Sequence, residues 1–390
     1  MQFESISKVI GSPSISIPKM LTKASLDTFY HVLDDIPKDN LEHGNIQEVT
    51  SIEYREHNDF TQTIPHYHYI HDKVQRSLES YRGYSIEYKM YLPNNMVTIH
   101  MYLPCAKSQI KSAISKFSRE VHLIYLWMML VQKHVRHSCS KVMNIHIIFS
   151  SLKKTLGKSS TTMDAYHVNS AFTTSCKEET DIVIYRNEEW LKVLIHETFH
   201  SLGLDFSSLS YDEEAVIGAL FSVQSSEEVR LYEGYCEYWA EVMHIVIMSY
   251  MDTKTKKDYL QCFDFMMRRQ LQFSVFQMVK ILKHHEMTYH DITARRETFR
   301  EKTHILSYYI VKSLLLFFSA SFENWCKRHN HTLFQFQQEE TKIMEFIRFI
   351  SKHYRATEFL QYVRKMELYI SRREKTFPHE LMRTMRMTLL

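Results

Sequence analysis

His196-Glu197-Thr198-Phe199-His200 is an HExxH sequence. Residues i and i+4 share one face of a helix, so both imidazoles can reach a single metal ion. The Glu beside the first His projects next to that metal. There it can take a proton from a metal-bound water and hand it to a leaving amine. The chain carries 23 His, so the bare motif is suggestive and its surroundings decide. Those surroundings are apolar: Trp190, Leu191, Val193, Leu194, Ile195, Phe199 and Leu202. Turning two His and a Glu inward on such a helix costs on the order of several kcal/mol unless something binds them.

A third ligand would complete the centre. One known pattern places a His or Asp six residues beyond the second His. Position 206 is Phe206, and Asp205 is one residue out of register. Further on, Glu233, Glu237 and Glu241 step by four through Tyr232–Glu241, among Tyr, Trp, Val and Met. Three aligned carboxylates on an apolar helix need a reason. Zinc bound by two His and one Glu, with a fourth position open for water, is the catalytic geometry. The residues alone leave the choice among the three Glu open.

The elements that must position these groups are legible in outline. Ser85–Tyr91 and Met96–Leu103 are rich in Tyr, Ile and Val and flank Pro93-Asn94-Asn95, which reads as a β-hairpin. Ile110, Ile114, Phe117, Val121, Ile124, Tyr125 and Met128 recur at helical spacing within 107–136. Val142–Phe149, Tyr166–Thr174 and Asp181–Tyr185 read as strands, and Glu188–Leu202 as a helix closed by Gly203. No Pro occurs between Cys105 and Phe377, and no Gly follows Gly234, so the remainder reads as helices over 211–224, 226–251, 254–285, 297–320, 335–352 and 356–373. The expected fold class is α+β: a twisted mixed sheet with the HExxH helix over 84–206, then a mainly helical subdomain over 207–373 that carries the third ligand. Residues 1–83 have no clear fold and are a candidate pro-segment or cleft cover. Residues 374–390 read as a basic, solvated tail.

HExxH followed by an EGxxE-type helix resembles the gluzincin branch of the zinc metallopeptidases. Asn169–Thr173, the strand Asp181–Tyr185 and His196–Phe206 look most like predicted metallopeptidases encoded by large double-stranded DNA viruses. The resemblance covers about 165–242. It implies a zincin-like fold with the cleft between the two subdomains, a Zn2+ cofactor and a polypeptide substrate. It implies His196, His200 and Glu233 as metal ligands, Glu237 as the acidic residue that hydrogen-bonds a ligating His, and Glu197 as general base and then general acid. The gap from His200 to Glu233 is longer than in the best-known members, which keeps Glu237 and Glu241 in play. The resemblance also implies an edge strand that pairs with an extended substrate. Asp181–Arg186, with Ile182, Val183, Ile184 and Tyr185, is the candidate, and Asn169–Thr173 the alternative. An oxyanion donor should come from the helical part. His304 and Tyr308, at i and i+4, are the first candidates for that catalytic role, and Tyr289 and His290 the second.

Composition bounds what remains. Lys+Arg (48) nearly cancels Asp+Glu (45), which argues against a nucleic-acid coat, so no nucleic-acid partner is expected. The N-terminal stretch has no apolar leader and no run is long enough to span a membrane, so an intracellular, non-secreted protein is expected, with a viral factory or virion in view through the resemblance. Cys105, Cys139, Cys176, Cys236, Cys262 and Cys326 show no CxxC spacing and read as reduced thiols. The alternative function is a virion or assembly module that keeps a zincin fold with little or no proteolytic activity. Oligomeric state is not encoded in any feature of the sequence.

Overall fold

The computed structural model describes residues 17–36, 46–54, 61–135, 139–157, 162–209, 213–225 and 229–390. Residues 1–16, read above as lacking a leader, and the expected helix starts at 211 and 226 lie outside them. From α1 (Lys23–Asp34) the chain runs through β1 (Ile46–Tyr54), α2 (Asp72–Leu78), β2 (Gly83–Tyr91), β3 (Met96–Leu103), α3 (Ile110–Gln132), β4 (Val142–Ile148), α4 (Ala165–Val168), β5 (Ala171–Thr173), β6 (Glu179–Ile184) and α5 (Trp190–Ser201). It continues through α6 (Glu213–Leu220), β7 (Val223–Ser225), α7 (Leu231–Met251), α8 (Lys256–His284), α9 (Tyr289–Thr293) and β8 (Phe299–Glu301). A π-helix (Leu306–Val311) then leads into α10 (Lys312–Phe317), α11 (Ser319–His329), α12 (Glu340–His353), α13 (Thr357–Arg373) and α14 (His379–Arg383). The chain divides into two compact units, 27–153 with 169–204, and 205–390 with 154–168 and the stretch up to Leu26. A mixed sheet carrying the HExxH helix, followed by a helical region, is the zincin-like α+β order expected from the sequence.

The sheet order is β1-β2-β3-β4-β6-β5. The hairpin forms as expected, with β2 antiparallel to β3, and β1 adds antiparallel outside it. The sheet therefore begins at 46, so a boundary at 84 would cut through it. β3, β4 and β6 are parallel, and β5 closes the other edge antiparallel to β6. Tyr88, Ile99, Ile145 and Ile182 lie in one cross-strand row, and Ile86, Met101, Ile147 and Ile184 in the next. All of these are buried, which is the near-continuous apolar reading that interior parallel strands require. The opposite face carries Glu87, His100 and His146 in register.

Two local expectations change. Tyr166–Thr174 is not one strand: α4 takes its first residues, and only Ala171–Thr173 pairs. β6 is an interior strand, bonded to β4 on one side and β5 on the other, so the edge expected at Asp181–Arg186 belongs to Ala171–Thr173.

In the helical unit, α7 is buried on almost every side, its carboxylate row Glu233, Glu237 and Glu241 included. α8 and the π-helix pack against it. The expected helix over 297–320 is broken, because Phe299–Glu301 pairs in parallel with Val223–Ser225 and the π-turn follows. The basic tail is not solvated: Leu381, Met385, Met387, Thr388 and Leu389 are all buried. The reason lies on α8 and beyond. Gln277 Nε2 donates to Arg386 O (2.5 Å), Gln270 Nε2 to Met387 O (2.8 Å), and Leu389 N to Gln270 Oε1 (2.9 Å). Lys280 Nζ donates to Leu381 O (3.1 Å), and its burial pulls the ammonium down to about 7. Polar side chains thus satisfy the tail backbone that burial takes from water.

The thiols also differ from expectation. Cys139 and Cys176 form a disulfide across 37 residues of sequence. No described helix is long and apolar enough to cross a membrane.

Candidate metal centre

α5 starts directly after β6, through Glu189 in the left-handed region (φ 63°). It ends in a Schellman turn. Gly203, at φ 63°, donates to His200 O (3.2 Å), and Leu204 N donates to Phe199 O (2.9 Å). The last carbonyls find further partners in Cys176 N, which donates to His200 O (3.2 Å), and Ser140 Oγ, which donates to Ser201 O (2.7 Å). On the opposite side Thr198 Oγ1 accepts from Trp127 Nε1 of α3 (2.8 Å) and donates to Ile195 O (2.7 Å). The helix is thereby held at its middle and at its end.

This fixes the two imidazoles. His196 Nε2 and His200 Nε2 stand 3.1 Å apart, with the rings at 78°. Two nitrogens on one tetrahedral zinc at about 2.0–2.1 Å would be separated by roughly 3.3 Å. The spacing suits a shared ion. Glu197 follows His196 on the helix and is buried. Tyr185, at the end of β6, is also buried. Burial is the main cause that holds its phenol well above the ordinary range; the Arg186 charge opposes this and the Glu197 charge adds to it. The phenol therefore stays protonated and lies within the field of the Glu197 carboxylate.

Glu233 is in the first turn of α7 and is buried. One ligand atom from each of His196, His200 and Glu233 lies within 4.8 Å of the other two. Among the three carboxylates left open by the sequence, Glu233 is the one in this group. Two imidazoles and a carboxylate, all buried, are a donor set that fits zinc with a position left over.

Glu237 and Glu241 face Lys312, with Nζ 3.9 Å from Glu237 Oε2 and 3.2 Å from Glu241 Oε1. A second buried group joins His200 to Asp205 and Cys236 under the same distance limit. Cys236 Sγ lies 3.6 Å from Asp205 Oδ2, and Gln338 Nε2 donates to Asp205 O (3.0 Å). By sequence Asp205 is one residue out of register for a third ligand, and Cys236 reads as a reduced thiol. The signal for both is an acid and a thiol in apolar stretches that follow the motif.

His304 and Tyr308 are buried, their ring centroids 6.0 Å apart, with Tyr308 N donating to His304 O (2.9 Å). They bracket Ser307, whose Oγ donates to Arg230 O (2.8 Å) at the start of α7. Tyr289, the second choice, is otherwise engaged, because its hydroxyl donates to Tyr354 O (2.9 Å). Ile182, Val183 and Ile184 are fully buried in the interior strand.

No protein-family model, no curated protein and no solved structure matches the chain. What the centre does must be read from its residues and geometry.

Proposed function

We propose that the chain is a zinc-dependent metallopeptidase of gluzincin type. The observation that carries this reading is the buried group of His196, His200 and Glu233 within 4.8 Å, with Glu197 beside it on the same helix. His196 and His200 would hold the ion through Nε2 and Glu233 through its carboxylate. When bound, zinc lowers the pKa of a water to about 7 and polarises a carbonyl oxygen. Glu197 takes a proton from the attacking water and passes it to the leaving amine. No side chain becomes covalently attached. His304 and Tyr308 are the donors proposed for the developing oxyanion. Ala171–Thr173 is the proposed docking strand: it is the sheet edge, three residues long, and it packs against α5.

The deciding experiment is metal analysis of wild type, Glu197→Gln and Glu233→Ala, run beside cleavage of a mixed peptide library. Wild type should hold one zinc and cleave. Glu197→Gln should hold zinc and not cleave, and Glu233→Ala should lose the metal. A wild type that binds no zinc would end this reading.

A further inference from the structure

Lys312 is 1% exposed and opens α10 directly after the π-helix. A single extra residue in a helical turn re-aims every side chain that follows it, and π-turns of this kind recur at functional sites. Here the Lys312 ammonium faces Glu241 Oε1 at 3.2 Å, Glu237 Oε2 at 3.9 Å and Met387 O at 3.1 Å. Burying an ammonium is costly unless carboxylates and carbonyls surround it, and here three acceptors do so. Glu237 and Glu241 stand one and two helical steps along the row that begins at Glu233. Met387 is itself fixed, since its carbonyl also accepts from Gln270 and the neighbouring Met385 O accepts from Tyr309 Oη (2.6 Å).

We infer that Lys312 is the positioning residue for the carboxylate face of α7: it ties Glu237 and Glu241 to the carboxyl-terminal tail and so fixes the rotation at which Glu233 is presented. This rests on the zinc reading above. A buried ion pair can often be replaced by apolar side chains of similar volume without loss of stability. Positioning and mere stability are therefore separable.

The test uses the full chain. Zinc affinity is measured by competition with a chromogenic chelator, and thermal midpoint is measured in parallel. Lys312→Met alone takes the ammonium 3.2 Å from the buried Glu241 carboxylate and could unfold the protein, so the main variant is Lys312→Met with Glu241→Leu. This pair should keep its thermal midpoint within a few degrees and lose roughly 10–100-fold in zinc affinity, the range typical for groups that orient ligands. Lys312→Arg should recover most of the affinity. A folded double variant with wild-type affinity would overturn the role of Lys312 and leave the zinc reading standing. Wild type without zinc affinity would remove both.

Discussion

Gly234 lies where Val311 leaves no room for a side chain. A Cβ there would come 2.9 Å from Val311 Cγ1 and 3.2 Å from Ser307 O. The glycine beside Glu233 therefore lets the π-helix approach the first turn of α7. Gly234→Ala gains up to about 1 kcal/mol of helix propensity. It also forces a backbone carbonyl and a branched side chain to move, which costs about 1–3 kcal/mol. The second effect should win, with weaker zinc binding as the turn shifts. Gly218 of α6 is the control, because an added Cβ meets nothing within 4 Å. Gly218→Ala should stabilise by about 0.4–1 kcal/mol. Urea denaturation of both variants checks the opposite signs, and two shifts of the same sign would refute the argument.

Several parts of this arrangement are visible in the chain before any folding. HExxH at helical spacing, Gly203 as a helix stop, the hairpin around Asn94 and the row Glu233, Glu237, Glu241 all depend on local chemistry. What escaped depends on partners distant in sequence. β5 is three residues long, too short to show a period, so the interior position of β6 was invisible. The Cys139–Cys176 pair has no recognisable spacing. A π-turn keeps nearly the same apolar rhythm as the helix it interrupts. The tail reads as basic because Lys and Arg are counted, while Met385, Met387 and Leu389 bury themselves against Gln270, Gln277 and Lys280, more than a hundred residues earlier. Lys312 did carry a signal, a lone Lys between Val311 and Leu314.

Thr198 lies inside the metal motif, and its hydroxyl accepts from Trp127, 0% exposed. Thr198→Val keeps the volume and removes that acceptor from a buried indole N–H. Stability should fall by about 1–3 kcal/mol. Adding Trp127→Phe should return part of the loss, because the donor is then gone as well. A double-mutant cycle by denaturant unfolding measures this coupling, and strictly additive losses would show that the bond contributes nothing.

The Cys139–Cys176 disulfide sits against the end of α5, where a Cβ added at Gly203 would lie 3.1 Å from Cys139 Sγ and 3.2 Å from Cys176 Sγ. Closing a loop of this length in the unfolded chain is worth roughly 2–4 kcal/mol. Cys139→Ser with Cys176→Ser should lower the unfolding free energy by that amount. Reductant should lower the urea midpoint of wild type and leave the double variant unmoved. Equal sensitivity in both would show that the bond does not form in solution.

His146 stands on the sheet face opposite the apolar rows, stacked on His100 with ring centroids 4.5 Å apart, and its Nδ1 lies 3.0 Å from Tyr102 Oη. Burial, with the neighbouring His100 charge second, pulls its pKa down from 6.5 to about 3. The charges facing this pair are Glu87, 3.4 Å from His100 Nδ1, with Asp181 and Lys89 acting at longer range. Above about pH 6.5 His146 is neutral in both the folded and unfolded chains and contributes no pH dependence. Between about 6.5 and 3 the unfolded chain binds a proton that the folded chain refuses. Stability therefore falls as the solution is acidified through that window, by up to about 1.4 kcal/mol per pH unit for this group. His146→Gln offers Tyr102 an acceptor and removes the titration. Its urea midpoint should fall less than that of wild type between pH 7 and pH 4.5, while carboxylates elsewhere contribute equally to both. Coincident slopes would mean that His146 takes up its proton in the folded sheet as readily as in the unfolded chain.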